Sequence, residues 1–184
     1  MFFLGLDLGQ RLDFTAVAVV ERMGPRRLVV RHLERMALGT PYTRVVARVS
    51  EIVRHPALIG RCRLVVDATG VGAPVVELLR PAVVGATLTA VTITVGEKAH
   101  GRSEEWHVPR KDLLTGLEVM LENGELKVSQ RLREAEQLAR ELTCLRRTRS
   151  DGGEHDDLAM ALGLACWRAR VSRQTSGINR LPGI

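Results

Sequence analysis

Hydrophobic positions in this chain fall into short runs near the N-terminus and into helical spacings further on. Phe2 to Leu8 is an almost unbroken apolar run, the pattern of a strand covered on both faces. Thr15 to Glu21 (TAVAVVE) and Leu28 to Leu33 (LVVRHL) follow closely, separated by Gly24-Pro25. Such short spacing predicts an antiparallel meander of three strands. Thr40-Pro41 reads as an N-cap followed by a proline at the first helical position, and Tyr42, Val45, Val46, Val49, Ile52 and Val53 then recur on one helical face. Arg63 to Asp67 (RLVVD) predicts a buried strand ending in an aspartate, with Gly70 and Gly72 in the tight turn beyond it.

A short helix from about Pro74 to Arg80 is expected to stop at Pro81, and Leu88 to Val95 alternates like a further strand. Gly96 to Arg110 is polar and reads as a surface loop. Lys111 to Glu122 carries Leu113, Leu117, Met120 and Leu121 on one face, with Gly124 as its stop. Leu132, Ala135, Leu138, Leu142 and Leu145 mark another amphipathic helix. The last helix runs from about Asp156 to Arg170, leaving Ser172 to Ile184 as a flexible tail. A meander followed by alternating strands and helices predicts an α/β domain over residues 1–171, with a mixed five-stranded sheet and helices on its faces.

Composition adds little to that picture except charge. The 184 residues suit one domain, and with aromatics at 3% the core must be built from Val, Leu and Ala. A net charge of +6 favours an anionic partner without naming it. Cys62, Cys144 and Cys166 show no pairing or zinc spacing, so three buried, inert, reduced thiols are expected. The apolar start is short and broken by Asp7, and no stretch approaches the roughly 20 apolar residues of a membrane span. A soluble cytoplasmic protein is the expectation.

The acidic positions carry the chemistry. Asp7 interrupts an apolar strand (GLDLG), Asp67 closes another (LVVDATG), and Asp156-Asp157 opens the last helix (EHDDLAMALGLACW). Singly, each has a plain structural use: Asp7 in a turn, Asp67 as a helix cap, the pair at the positive end of a helix dipole. Together, strand ends and a helix start can converge, and such a cluster resists full ionisation unless divalent cations bridge it. Oxygen-only donors select Mg²⁺ or Mn²⁺, and two such ions about 4 Å apart serve phosphodiester hydrolysis. Asp157 stands four and eight residues before Ala161 and Ala165, which favours it as the sheet-facing member, with Asp156 toward a second ion. His155 is either an accessory acid, base or metal neighbour, or simply solvated. Lys98, Arg102 and Arg110, with Arg146 and Arg147 in the arginine-rich stretch 131–149, are candidate DNA contacts.

GLDLG with its second strand, LVVDATGVGAPVVELL, VPRKDLLTGLEVMLENGELKV and HDDLAMALGLACW together resemble the nuclease domain of phage large terminase subunits. The resemblance covers residues 2 to 168 and is most specific at DATGVGAPV and HDDLAMAL. It implies the ribonuclease H-like fold and cleavage of concatemeric viral double-stranded DNA during genome packaging, using two divalent metals. Asp7, Asp67 and one or both of Asp156 and Asp157 would then be catalytic metal ligands. It also implies an ATPase motor, a small terminase subunit and a portal as partners, in the cytoplasm of an infected or prophage-carrying bacterial host. The chain departs from a full large terminase in lacking a G-x-x-x-x-G-K-[ST] phosphate loop, so an excised domain or a stand-alone relative is expected. A RuvC-type junction resolvase would use the same carboxylates; an actin-like phosphotransferase, faintly suggested by DLG-x-x-x-D-x-T, and a non-catalytic DNA-binding or assembly module are the further alternatives.

Overall fold

In the first strand, side-chain alternation decides which residues meet which layer of helices. In the computed structural model, which describes residues 1–9, 13–70, 72–147 and 156–177, β1 (Phe2–Asp7) sends Phe2, Leu4 and Leu6 into one core cluster and Phe3 into another. Period-two geometry puts Gly5 and Asp7 on the Phe3 side. β2 (Ala16–Gly24) and β3 (Arg27–Arg35) complete the expected antiparallel meander, while β4 (Cys62–Asp67) and β5 (Ala86–Thr94) run parallel to β1.

The sheet is wider than the five strands expected. Its eight strands are ordered β6-β7-β5-β4-β1-β2-β3-β8. β6 (His100–Arg102) and β7 (Glu105–Pro109) form a hairpin within the segment read as a loop, and β7 adds in parallel to the edge of β5. The strands are short and mostly polar, and their stability is tertiary: Val108 is buried and Trp106 meets Trp167 edge to face at 5.5 Å. β8 (Leu126–Lys127) pairs with β3 over two residues.

α1 (Tyr42–Val53) and α2 (Gly72–Ala82) cover the Leu4 side; α3 (Arg110–Glu122), α4 (Ala135–Arg147) and α5 (Asp157–Gly177) lie on the Phe3 side. Every residue from Leu158 to Ala165 is buried, as an all-apolar helix demands. The contact between α5 and β1 is as close as backbones allow. A Cβ placed on Gly5 would lie 1.9 Å from the Ala161 carbonyl oxygen.

Some boundaries shift. Thr40 does not cap α1: its hydroxyl donates to the Ala37 carbonyl at 2.6 Å, and the Pro41 carbonyl accepts the first helical N–H groups. Pro81 does not stop α2, which continues one residue past it. α4 begins at Ala135 rather than Leu132. α5 continues through Ser172, where a tail was expected, to Gly177. The Ser172 hydroxyl donates to the Arg168 carbonyl at 2.8 Å and accepts from Arg63 at 2.9 Å, bonds that favour another turn; residues 178–184 lie outside the described residues. Cys62 and Cys166 are buried, and burial pushes both thiols up to about 12, but Cys144 is exposed on α4, contrary to expectation. Among the described residues no helix is long and apolar enough to cross a membrane.

Gly5→Ala tests the α5–β1 contact. The added methyl must push α5 off the sheet, an overpacking cost of about 3 kcal/mol that lowers Tm by about 10 °C. A wild-type melting temperature would mean that the helix does not press on β1 at this point.

Candidate carboxylate site

Strand register brings the first two carboxylates together. Leu6 pairs with Val66 across the parallel β1–β4 ladder, so Asp7 and Asp67 end adjacent strands side by side. Val65 belongs to the cluster that packs against α5, and alternation puts Asp67 on that same face. Asp67 is also held from below by the turn into α2. Its Oδ1 accepts the Thr69 N–H at 2.8 Å, and a Cβ on Gly72 would come within 2.2 Å of its carbonyl oxygen. Gly70, with φ of 59°, serves the expected turn, whereas Gly72 opens α2 and its missing side chain allows the close approach to Asp67.

The third carboxylate arrives on α5. Because Ala161 and Ala165 lie against Gly5, the helical row through them reaches Asp157 one turn nearer the ends of β1 and β4. Asp157 is 5% exposed and its charge acts on Asp7. Asp156 precedes the helix, with its backbone carbonyl accepting the Met160 N–H at 2.9 Å and its carboxylate bound by Arg110.

Crowding of negative charge governs the titration. Burial holds the Asp7 carboxyl well above the usual carboxylate range, and the charges of Asp67, Asp157 and Asp13 add to that. Asp7 and Asp67 share a side-chain hydrogen bond that favours the protonated form of Asp7 and the ionised form of Asp67. Asp67 is still raised, because its own burial outweighs the bonds from Thr69. Asp157, in contrast, has a permanent cation beside it: Arg35 Nη2 donates to its Oδ2 at 2.9 Å. The donor set is oxygen-only and anionic, which suits a hard divalent ion. Asp7 and Asp67 share a hydrogen bond, Asp157 bears on Asp7 by its charge while its Oδ2 is bonded to Arg35, and among the described residues no group of three His, Cys, Asp or Glu side chains encloses a metal position.

Of the other sequence candidates whose side chains are described, Arg110 is the one brought here. Lys98 lies in the exposed turn after β5 and Arg102 ends β6. Two strands, β7 and β5, separate β6 from β4, placing Arg102 about 14 Å from Asp67 across the sheet. His155 and the side chains of Arg146 and Arg147 lie outside the described residues. Sequence reasoning missed Arg35 and Glu141. Both had a periodic signal: Arg35 is two residues beyond buried Leu33 on a strand, and Glu141 is three beyond buried Leu138 on a helix.

No family model matches the chain, and no curated protein does. Solved structures do. The large terminase nuclease of thermophilic phage G20c superposes with a TM-score of 0.60 at 21% identity, covering 90% of this chain and 80% of that one. The Mn-soaked human cytomegalovirus terminase nuclease domain gives 0.62 at 18% identity, with coverage of 94% and 85%. Thermus thermophilus RuvC in complex with a Holliday junction substrate gives 0.52 at 18% identity, with coverage of 95% and 96%. The chain therefore has the ribonuclease H-like fold of these domains, as the resemblance of its motifs implied.

The raised Asp7 carboxyl makes a pH prediction for metal-free protein. A group whose folded pKa exceeds its unfolded value stabilises the fold while protonated, and that contribution is lost as pH rises through the folded pKa. Relative to Asp7→Asn, wild type should therefore lose stability as pH climbs above the ordinary carboxylate value of 3.8. Urea unfolding with chelator, in both proteins across acidic to neutral pH, measures the difference. Parallel stability curves would show that Asp7 bears no such burden.

Proposed function

We propose that this chain is a divalent-metal-dependent endonuclease of double-stranded DNA, with Asp7, Asp67 and Asp157 as its metal-holding carboxylates. The observation that carries this reading is the facing of Asp7 and Asp67 on adjacent parallel strands, beneath the start of α5. A half-buried pair of acids sharing one hydrogen bond is a poor structural device, since apolar residues would fill the space at lower cost. It is a sound device for capturing a cation. Asp156, one residue from Asp157, would serve a second ion. The Mn-soaked terminase nuclease domain of similar fold supports Mg²⁺ or Mn²⁺ as the metal.

Bound divalent ions supply Lewis acidity toward the phosphodiester and lower the pKa of the attacking water. The residues of the chain do the rest. Asp7 gives up its shared proton when it becomes a ligand, so loading is favoured as pH rises. Asp67 is held in place by Thr69 and cannot swing away. Arg110, bound to Asp156, stands where it can turn to a backbone phosphate, and the net charge of +6 favours a polyanion generally.

The terminase likeness supports a finer reading, in which the enzyme cuts concatemeric viral DNA during packaging beside an ATPase motor, a small terminase subunit and a portal. RuvC keeps a second reading open, because the alignment spans 95% of this chain and 96% of that one. A junction resolvase would use the same carboxylates on a branched substrate.

Plasmid incubated with pure protein and Mn²⁺ should be nicked and linearised, with Asp67→Asn inactive. Activity equal in both proteins, or absent from both, would sink the nuclease assignment. Linear duplex and a four-way junction compared side by side separate the two substrate readings: preference for the junction would favour resolution over packaging.

A further inference from the structure

Arg35 and Glu141 have no part in the nuclease reading, yet both are anchored against the start of α5. Arg35 ends β3 and donates to Asp157 Oδ2 at 2.9 Å, with Glu141 Oε1 3.9 Å from the same Nη2. The Phe14 ring lies against the guanidinium, 3.9 Å from its carbon to the ring centroid. Glu141, on α4, is 3% exposed; its Oε2 accepts the Ala159 N–H at 3.0 Å and its Oε1 accepts from Gln137 at 3.4 Å. Two buried carboxylates from α4 and α5 thus converge on one arginine from β3, with an aromatic ring packed against it from the segment before β2.

This arrangement is poorly suited to stability alone. Arg35 Nε is buried with no hydrogen-bond partner among the described residues, and burying a charged triad seldom exceeds what apolar packing would give. A serine or aspartate cap could satisfy the first N–H groups of α5 without a glutamate from another helix. What the triad does achieve is orientation. A guanidinium is planar and keeps its charge at any accessible pH, and here it is itself held by the Phe14 ring and by Glu141, so that its bond to Asp157 Oδ2 ties that oxygen to a fixed point. Lysine, a flexible point charge, would hold the charge without a rigid group to be stacked and held.

Resting on the nuclease reading above, we infer that Arg35, tethered by Glu141, is a positioning residue that sets the Asp157 carboxylate toward a divalent cation held by Asp7 and Asp67. Outer partners of metal ligands commonly alter metal affinity by about 10–100-fold. The full chain therefore needs Mn²⁺ affinity measured directly, by titration calorimetry, beside the Mn²⁺-induced rise in melting temperature.

Arg35→Ala should raise the Mn²⁺ dissociation constant by about 10-fold or more and shrink the Mn²⁺-induced thermal shift. Arg35→Lys should recover only part of the loss. Millimolar guanidinium should restore binding to Arg35→Ala and leave wild type unaffected. If Arg35→Ala does not fold, Arg35→Lys and Glu141→Gln carry the test, each expected to weaken Mn²⁺ several-fold. Wild-type or tighter affinity in the folded variants would overturn the inference. Asp67→Asn separates this failure from that of the underlying reading. If Asp67→Asn loses Mn²⁺ while Arg35→Ala keeps it, only the role of Arg35 fails. If Asp67→Asn binds as wild type does, the metal site itself is elsewhere.

Discussion

The packing of α5 on β1 at Gly5 sets the geometry on which the candidate site depends. With no side chain between them, the helix lies directly on the strand, and the Ala161 carbonyl occupies the space a Cβ would take. Distance along the helix then converts into position over the sheet, at about 5.4 Å per turn. One turn back from Ala161 is Asp157, and two residues on from Gly5 is Asp7. A larger residue at position 5 would lift the helix and carry Asp157 away from the strand ends. The small residues along this seam are thus part of the electrostatics.

That electrostatics divides into two halves with different solutions to the same problem. At the strand ends, Asp7 and Asp67 relieve their repulsion by sharing a hydrogen bond. At the helix start, Asp156 and Asp157 each face an arginine, Arg110 and Arg35. One half is compensated by a proton, which a cation readily displaces, and the other by the guanidinium groups of Arg110 and Arg35, whose charge does not titrate away. The surrounding fold bears this charge because Val, Leu and Ala fill both faces of the sheet.

Much of this was legible in the sequence where periodicity and tertiary packing agree. The apolar runs around Asp7 and Asp67 marked central strands, and the Ala161–Ala165 spacing marked the face of α5 that meets the sheet. The paired acids followed from those placements. The β6–β7 hairpin was not legible, because an edge strand of polar residues is stabilised by its neighbour: Trp106 reads as a loop residue until Trp167 lies against it. Arg35 and Glu141 fell between these cases. Each lay in phase with buried neighbours, but a charged residue in phase becomes meaningful only when its partner is known, and the partners lie on other elements. Cys144 failed for a simpler reason, since hydrophobic character alone does not bring a side chain to the inner face of an amphipathic helix.

The span between Asp7 and Asp157 also bears on how the molecule comes into being. The β1–β3 meander closes from local contacts, but the layer over it is supplied by a helix about 150 residues further along. Closing a loop of that size costs on the order of 4 kcal/mol in chain entropy, and distant pairings of this kind slow folding. On the ribosome, the first strand must wait beneath an uncovered apolar face until α5 emerges. Asp7 and Asp67 can pair as soon as β4 is made, whereas Asp157 joins them only once α5 has been synthesised.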